Sequence, residues 1–390
     1  VSEEFPLVAA WRKVETQWAM VASINAYESL TFEPRWNDPG TFELTLPYET
    51  AVANVKPDCL ITVDWRGKRT TWVLDRFNPH SNEQGTRTLT IGGASALSML
   101  GHEIAWPDPT QPLGSQPDPE LDPDAGRISG NAETVVRTLI EGNYVTRRGG
   151  TLDLGTNGNQ GNAITARGQW DNLLELVTTK AKAGGISVDI NLVGTSATRA
   201  DLELQVSSPS DRSLAVRLSE RVGTLTSWSS TLAAPTATRA IVGSAVGGSG
   251  RLYETVDAPG AADAAAQWAG GHRVVFVNGP SSYDVADLQA AGTEALLEGV
   301  PVNNVSLTAA DSEGLQAFTH YNVGDKVTGQ LEVGVDVVDI ISSISVRVED
   351  GYPEVVPTFG DPSAEDPMVA LAELVRAMAR RVRHIEQRGS

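Results

Sequence analysis

Between Thr41 and Leu46 the chain reads Thr-Phe-Glu-Leu-Thr-Leu, an alternation of period two that puts Phe42, Leu44 and Leu46 on one face of a strand. Such a stretch buries one face and solvates the other, so it commits its surroundings to a sheet with an inside and an outside. Asn37-Asp38-Pro39-Gly40 launches it as a turn, in which Pro presets φ and Gly tolerates a positive one. Cys59–Trp65 and Thr70–Leu74, on either side of Arg66-Gly67-Lys68, predict a hairpin. Thr86–Ile91 predicts a further strand that leads through Gly92-Gly93 into a short helix over Ala94–Leu100. Several short strands joined by polar turns specify a small barrel or sandwich.

With 390 residues the chain exceeds one ordinary core, and the hydrophobic period changes along it. Six prolines between Pro107 and Gly126, interspersed with acids, remove backbone donors and predict an extended surface loop. Beyond it Asn131 reads as the N-cap of a helix carrying Val135, Val136, Leu139 and Ile140 and ended by Gly142. A second helix is predicted over Trp170–Ala183, stopping at Gly184-Gly185. Strands follow at Ile186–Leu192 and Leu202–Val206. Further on, strands are predicted at Ala240–Ser244, Arg251–Val256, Arg273–Asn278, Val302–Thr308 and Ile340–Glu349. One helix interrupts them, capped by Asp284 and Gly299, with Val285, Leu288, Ala295 and Leu296 as its buried stripe.

The expected fold class is mainly β with an α+β insertion: two tube-like β-barrel or sandwich domains flanking a mixed α/β domain, plus a C-terminal helix. The boundaries fall at residues 1–105, a Pro/Asp-rich loop at 106–126, the mixed domain at 127–220, the second β-rich domain with one helix at 221–362, and the helix at 363–390.

That last helix carries apolar residues at Met368, Leu371, Val375, Met378, Val382 and Ile385, spaced 3, 4, 3, 4, 3. This is a heptad seam, which asks for partner helices. It follows a Pro/Asp-rich break at Asp361–Pro367 and carries Arg376, Arg380, Arg381, Arg383 and Arg388 on a chain of net charge −19. It reads as a self-association element; a short amphipathic helix folded back on its own domain is the other reading.

A search for chemistry finds no catalytic, cofactor or metal site. His80, His102, His272, His320 and His384 stand singly, without metal-ligand spacing, and His102-Glu103 lacks the second histidine of HExxH. The glycine-rich stretches Gly155–Gly161 and Gly243–Gly250 lack the Gly-Lys-Ser/Thr of a phosphate loop and read as mobile loops. Gly93-Ala94-Ser95 lacks the second glycine of a nucleophile elbow. Asp118, Glu120, Asp122 and Asp124 alternate like calcium ligands, but prolines interrupt them and the glycine is misplaced, so a solvated acidic loop is the simpler reading. Nine tryptophans suit either packing or sugar contact; Trp65 and Trp72, within strands, read as packing residues.

Acids outnumber bases 49 to 30, which disfavours binding to a phosphate backbone except at a local basic patch. The single cysteine, Cys59, makes no intrachain disulfide and reads as a buried strand thiol. No apolar run of about 18 residues is present, so no membrane-spanning helix is expected. The N-terminus lacks a signal-peptide layout, and synthesis in a host cytoplasm is expected.

Two stretches resemble a known family. Residues 35–47, Arg-Trp-Asn-Asp-Pro-Gly-Thr-Phe-Glu-Leu-Thr-Leu-Pro, are similar to the N-terminal signature of minor tail proteins from long-tailed actinobacteriophages. Tyr321-Asn322-Val323-Gly324-Asp325-Lys326-Val327 resembles the turn-and-strand of the same family, and Pro357-Thr358-Phe359-Gly360 its exit. Taken alone, Trp36, Gly40, Gly324 and Asp325 are explained by turn geometry. The resemblance implies a structural virion protein at the tail tip, a baseplate hub similar to those of contractile phages. It would be a homotrimer whose two tube-like domains per subunit adapt the sixfold tail to a threefold tip and close the tube. Implied partners are the distal tail protein ring, the tape measure protein and other tail-tip or fibre proteins, with the genome passing an acidic lumen without specific binding. The other reading is a β-rich receptor- or carbohydrate-binding tail adhesin, which asks for clustered exposed tryptophans. A cell-wall hydrolase carried on a tail is a third, and would need a convergent acid pair or a metal site.

Overall fold

The computed structural model describes residues 5–359, apart from 50–54, 119–125, 197, 220, 222–223, 233, 245–250, 268, 280–283, 298–302, 310–313, 333–334 and 350. Seven strands open the chain: β1 (Leu7–Val14), β2 (Gln17–Ile24), β3 (Ser29–Arg35), β4 (Asp38–Pro47), β5 (Cys59–Trp65), β6 (Lys68–Ser81) and β7 (Arg87–Ser95). Their pairing order is β2-β1-β5-β6-β7-β4-β3, and the sheet does not end with them. On one side β2 meets the hairpin Arg199–Ser207 and Ser187–Ser196. On the other, β3 pairs with Val335–Glu349, followed by Tyr352–Phe359, Asn303–Ala309 and Leu225–Leu232. The first and last parts of the chain are therefore one continuous, mainly antiparallel sheet, in a mainly β fold with an α/β insertion.

The alternation at Thr41–Leu46 does what it predicts. Phe42, Leu44 and Leu46 are buried, and Phe42 stacks on Trp72 at 5.5 Å between ring centroids. Phe32 meets Trp65 edge-on and lies parallel to Phe318. This core draws on both ends of the chain, from Val8 and Leu30 to Ile344 and Val355, and includes the thiol of Cys59. Gly92-Gly93 does not start a helix. The strand runs on to Ser95 because a Cβ at Gly93 would lie 1.8 Å from the Val73 carbonyl oxygen, so glycine lets the neighbouring strand approach. A 3-10 turn over Ala96–His102 follows and buries Ala96, Leu97 and Leu100.

Two helices cover the back of the sheet. In α1 (Ala132–Ile140) the Asn131 side chain accepts from Thr134 N–H, as an N-cap should. The helix does not stop at Gly142 but widens into a π-helical turn, Glu141–Arg147. Asn143 supports that turn by donating to Leu139 O and accepting from Trp106 N–H, and Gly142 is small because Pro109 packs on it. α2 (Leu173–Gly184) is capped by Asn172 and ended by Gly185 at φ +69°. It starts three residues later than predicted, since Trp170 sits at φ +64° and Asp171–Asn172 pair with Ile104–Ala105. Both helices pack with Ile186, Val188, Ile190, Leu202 and Leu204 in a second core that also takes Trp11, Trp18 and Leu60.

Two loops are better ordered than the sequence suggests. Arg147 donates to Pro109 O and Gln111 O and lies over Trp106, pinning the start of the proline-rich loop. The Gly155–Gly161 loop is fastened by the buried Glu133, which accepts from Gln160 N–H and pairs with Arg137, while Asn157 bonds Thr134. At Gly161 (φ +82°) a Cβ would strike Ile186 and Ala132. Of the second glycine-rich stretch, residues 245–250 lie outside the described residues, as do Glu120, Asp122 and Asp124 of the acidic series.

The region 221–362 contains a small α/β lobe. Arg239–Gly243 pairs antiparallel with Tyr253–Asp257 and parallel with Val274–Asn278. Two helices accompany this sheet, α3 (Ala261–Gln267) and α4 (Val285–Leu297), where one was predicted. α3 was missed because its alanine-rich run, though of high helix propensity, has no apolar stripe to mark a buried face. α4 buries Leu288 and Leu296, as read, but leaves Val285 47% exposed. The lobe has its own core of Ala237, Ala240, Val242, Leu288 and Leu296.

Candidate assembly site

The seam residues Met368, Leu371, Val375, Met378, Val382 and Ile385 lie outside the described residues. Within them, the two motifs that carry the family resemblance come together, 280-odd residues apart in sequence, on the strand Ser187–Ser196.

The tight turn between β3 and β4 places Asn37 at φ +47°, a region that asparagine tolerates better than most residues. Gly40 follows because a Cβ there would lie 2.2 Å from Glu33 O. The Asn37 side chain is 2% exposed. Its Nδ2 donates to Ile186 O at 2.7 Å and its Oδ1 accepts from Val188 N–H at 2.8 Å. One amide thus satisfies an edge strand as a neighbouring strand would. Trp36 Nε1 donates to Ser187 Oγ at 2.9 Å, and Trp36 N–H to Ser342 O at 2.8 Å. Gly324, at φ +90°, closes the contact: a Cβ would lie 2.8 Å from Ser187 Oγ and 3.0 Å from Trp36 Cδ1. Asp325 then accepts from Asn322 N–H and Ser210 N–H and pairs with Arg212 at 3.0 Å.

The same edge is capped further along. Leu192 N–H donates to Thr71 Oγ1, and Arg69 donates to Leu192 O while holding Asp64 with two short bonds. Those bonds to Asp64 raise the Arg69 pKa against its burial. Asp189 moves the other way: burial pushes its carboxyl above the ordinary aspartate range, with Lys68 and its own hydrogen bonds opposing. Turn geometry accounts for Trp36, Gly40, Gly324 and Asp325 only in part, since their side chains, or lack of them, also join three regions of the chain. Sequence reading missed Asn37 and Ser187. Asparagine in a turn was visible; its partners, about 150 residues away, were not.

The remaining candidates sort simply. Among the described residues no group of His, Cys, Asp and Glu is arranged to hold a metal. His320 Nδ1 accepts from Gln316 N–H, and His272 lies beside Thr238. Ser95 Oγ accepts from Gly40 N–H at the end of β7. Trp11, Trp18, Trp65 and Trp72 are buried, while Trp106 and Trp170 are half-buried against each other at 4.7 Å beneath Arg147. No described helix is long and apolar enough to cross a membrane. The site is built for holding, and its chemistry is that of a joint.

Three solved structures share this fold. The 43 kDa tail protein of prophage MuSo2 from Shewanella oneidensis aligns with a TM-score of 0.54 at 15% identity, over 92% of this chain and all 100% of that one. The prophage tail protein gp18 from Listeria monocytogenes EGD-e aligns at 0.54 and 12%, over 95% and 99%. The tail protein from Neisseria meningitidis MC58 aligns at 0.53 and 12%, over 92% and 97%. At such identities the likeness is one of fold. No curated protein sequence matches the chain. The model of one family, described as Siphovirus ReqiPepy6 Gp37-like protein, does match, and it spans residues 11–361. That span takes in both motifs, the joint they form and the lobe, and the chain is a member of this family of phage proteins.

Proposed function

We propose that the protein is a structural component of the virion tail and, more specifically, its tail-tip or baseplate hub. In this reading three copies form a ring that closes the tail tube and adapts the sixfold tail to a threefold tip. It contacts the distal tail protein ring, the tape measure protein and other tail-tip or fibre proteins. The observation that supports it is the end-to-end match of fold with three tail proteins, two of them from prophages, in which almost the whole of each chain aligns with almost the whole of the other.

Its mechanism is mechanical. The continuous sheet and the Asn37 joint make the subunit stiff, and the units 1–105, 127–220 and 221–362 act as modules of a ring, with 363–390 as the self-association helix. Closed cyclic symmetry keeps such an assembly finite, and the acidity of the chain lets DNA pass the lumen without sticking.

Native mass spectrometry of the chain with and without residues 363–390 tests this. A trimer supports the hub, and its loss on truncation assigns the main contact to the heptad seam. Val375→Asp with Val382→Asp should then weaken the trimer as the truncation does. A monomer at every concentration, also when mixed with the distal tail ring, would sink the reading.

A further inference from the structure

The lobe at residues 237–297 is spliced between two strands that pair with each other, Leu225–Leu232 and Asn303–Ala309. It is therefore carried by the last two strands at one edge of the large sheet, of which Asn303–Ala309 also pairs with Tyr352–Phe359. Among the described residues its hydrophobic cluster shares no member with the cluster beneath α1 and α2, so no common apolar core of described residues joins the lobe to the neighbouring unit. Yet α4 lies against α2 and the Ala163–Ala166 strand. Two ion pairs span that contact. Arg127 pairs with Asp287, and Lys180 Nζ lies 2.5 Å from Glu294 Oε2. The pairs are partly sheltered: Asp287 is 10% exposed and Lys180 12%.

Their placement on α4 is regular. Asp287 and Glu294 are seven residues apart, two helical turns, and so share one face. Leu288 and Leu296 point into the lobe's own core from another. The helix thus gives its apolar side to the lobe and its acidic side to two cations of the α/β unit. An attachment of this kind reverses with charge, and it weakens with salt through its more open partners, Arg127 at 28% and Glu294 at 34% exposure, whereas a shared apolar core would not reverse with charge.

We propose that the lobe is a hinged arm, docked on the α/β unit by a two-point electrostatic latch and free to swing about the sheet-edge strands that carry it when the latch opens. This goes beyond the hub reading and holds whether or not the chain trimerises. Its movement would carry an exposed sheet face, with Ile241, Tyr253, Val274 and Phe276, away from one fixed direction.

The test is a distance measurement in the full chain. Spin labels at Thr138→Cys on α1 and Tyr253→Cys on the lobe report the separation by double electron–electron resonance; Cys59, 2% exposed, stays out of reach of the label. In salt of about 0.1 M the latch predicts one narrow distance. At about 1 M, where the Debye length falls from ~10 Å to ~3 Å, it predicts a broader and longer distribution. Lys180→Glu should broaden the distribution at low salt, and adding Glu294→Lys should restore the narrow one. An unchanged distribution in Lys180→Glu combined with Arg127→Glu overturns the proposal, as does failure of the swapped pair to restore it. If Lys180→Glu lowers the unfolding midpoint as much as Leu288→Ala does, the pair belongs to the fold and the latch is also refuted.

Discussion

Replacing Asn37 by alanine isolates the joint. The substitution removes both hydrogen bonds of a side chain that is 2% exposed, and it leaves Val188 N–H and Ile186 C=O buried beside a methyl group. Each orphaned group costs about 1–3 kcal/mol. Alanine at φ +47° adds about 1 kcal/mol, so the joint should lose about 3–7 kcal/mol. A chain of this size need not unfold in one step, and hydrogen exchange at the Val188 amide is the direct assay. Since every 1.4 kcal/mol is tenfold, exchange there should rise at least a hundredfold or so, if opening of this edge limits it. Asn37→Gly removes the same two bonds but accepts the positive φ, and should fall short of the alanine effect by about 1 kcal/mol. If Val188 in Asn37→Ala exchanges within about threefold of the wild type, the amide is not what holds the edge and the reasoning fails.

Other expectations rest on equally local geometry. Gly324→Ala places a methyl 2.8 Å from Ser187 Oγ at φ +90°, and should destabilise the joint by about 2 kcal/mol or more; a denaturation midpoint equal to that of the wild type would contradict it. Glu133 gives a pH dependence. Burial opposes its charge, but the Gln160 and Gly158 N–H groups and Arg137 outweigh that and hold its pKa below the ordinary range. A lowered carboxyl pKa stabilises the fold above its unfolded value, near 4.3, and that contribution drains away as pH falls through the lower folded value. Glu133→Gln should therefore be less stable than wild type at neutral pH, with the gap closing in acid, as urea midpoints taken across that range would show.

What could be read from the sequence depended on how local the cause was. The strand at Thr41–Leu46 and the cap Asn131 act within a few residues, so spacing alone reveals them, whereas the helix read over Trp170–Ala183 takes in Asn172 and misses it as the cap. Gly93 and Gly142 were misread as helix punctuation because the atoms that demand glycine there, Val73 O and the Pro109 ring, come from distant segments. The lobe was hidden for another reason. Tyr253–Asp257 and Val274–Asn278 present apolar residues on both faces, which reads equally as a strand of a larger β domain. Asn37 and Ser187 were legible as residue types only, since their bonding partners belong to other regions.

The sheet itself separates a change of composition from a folding boundary. β3 lies between β4 and Val335–Glu349, with Phe32 opposite Val346 and Leu30 opposite Val348. The core around it takes Phe318, Tyr321, Ile341, Ile344, Val346, Val348 and Val355 from the far end of the chain. A fragment of residues 1–118 would lack these seven side chains. At about 1.5–3 kcal/mol for each buried large apolar group, it forgoes on the order of 10–20 kcal/mol. That equals or exceeds the net stability of a typical domain, about 5–15 kcal/mol. The fragment would also leave the hydrogen-bonding edge of β3 open to other chains. It should therefore aggregate or stay molten when expressed alone, and become soluble when residues 208–359 are expressed with it. A soluble monomer of residues 1–118 with sharp near-ultraviolet dichroism would show that the N-terminal strands close a core by themselves, and that the far strands only add to it.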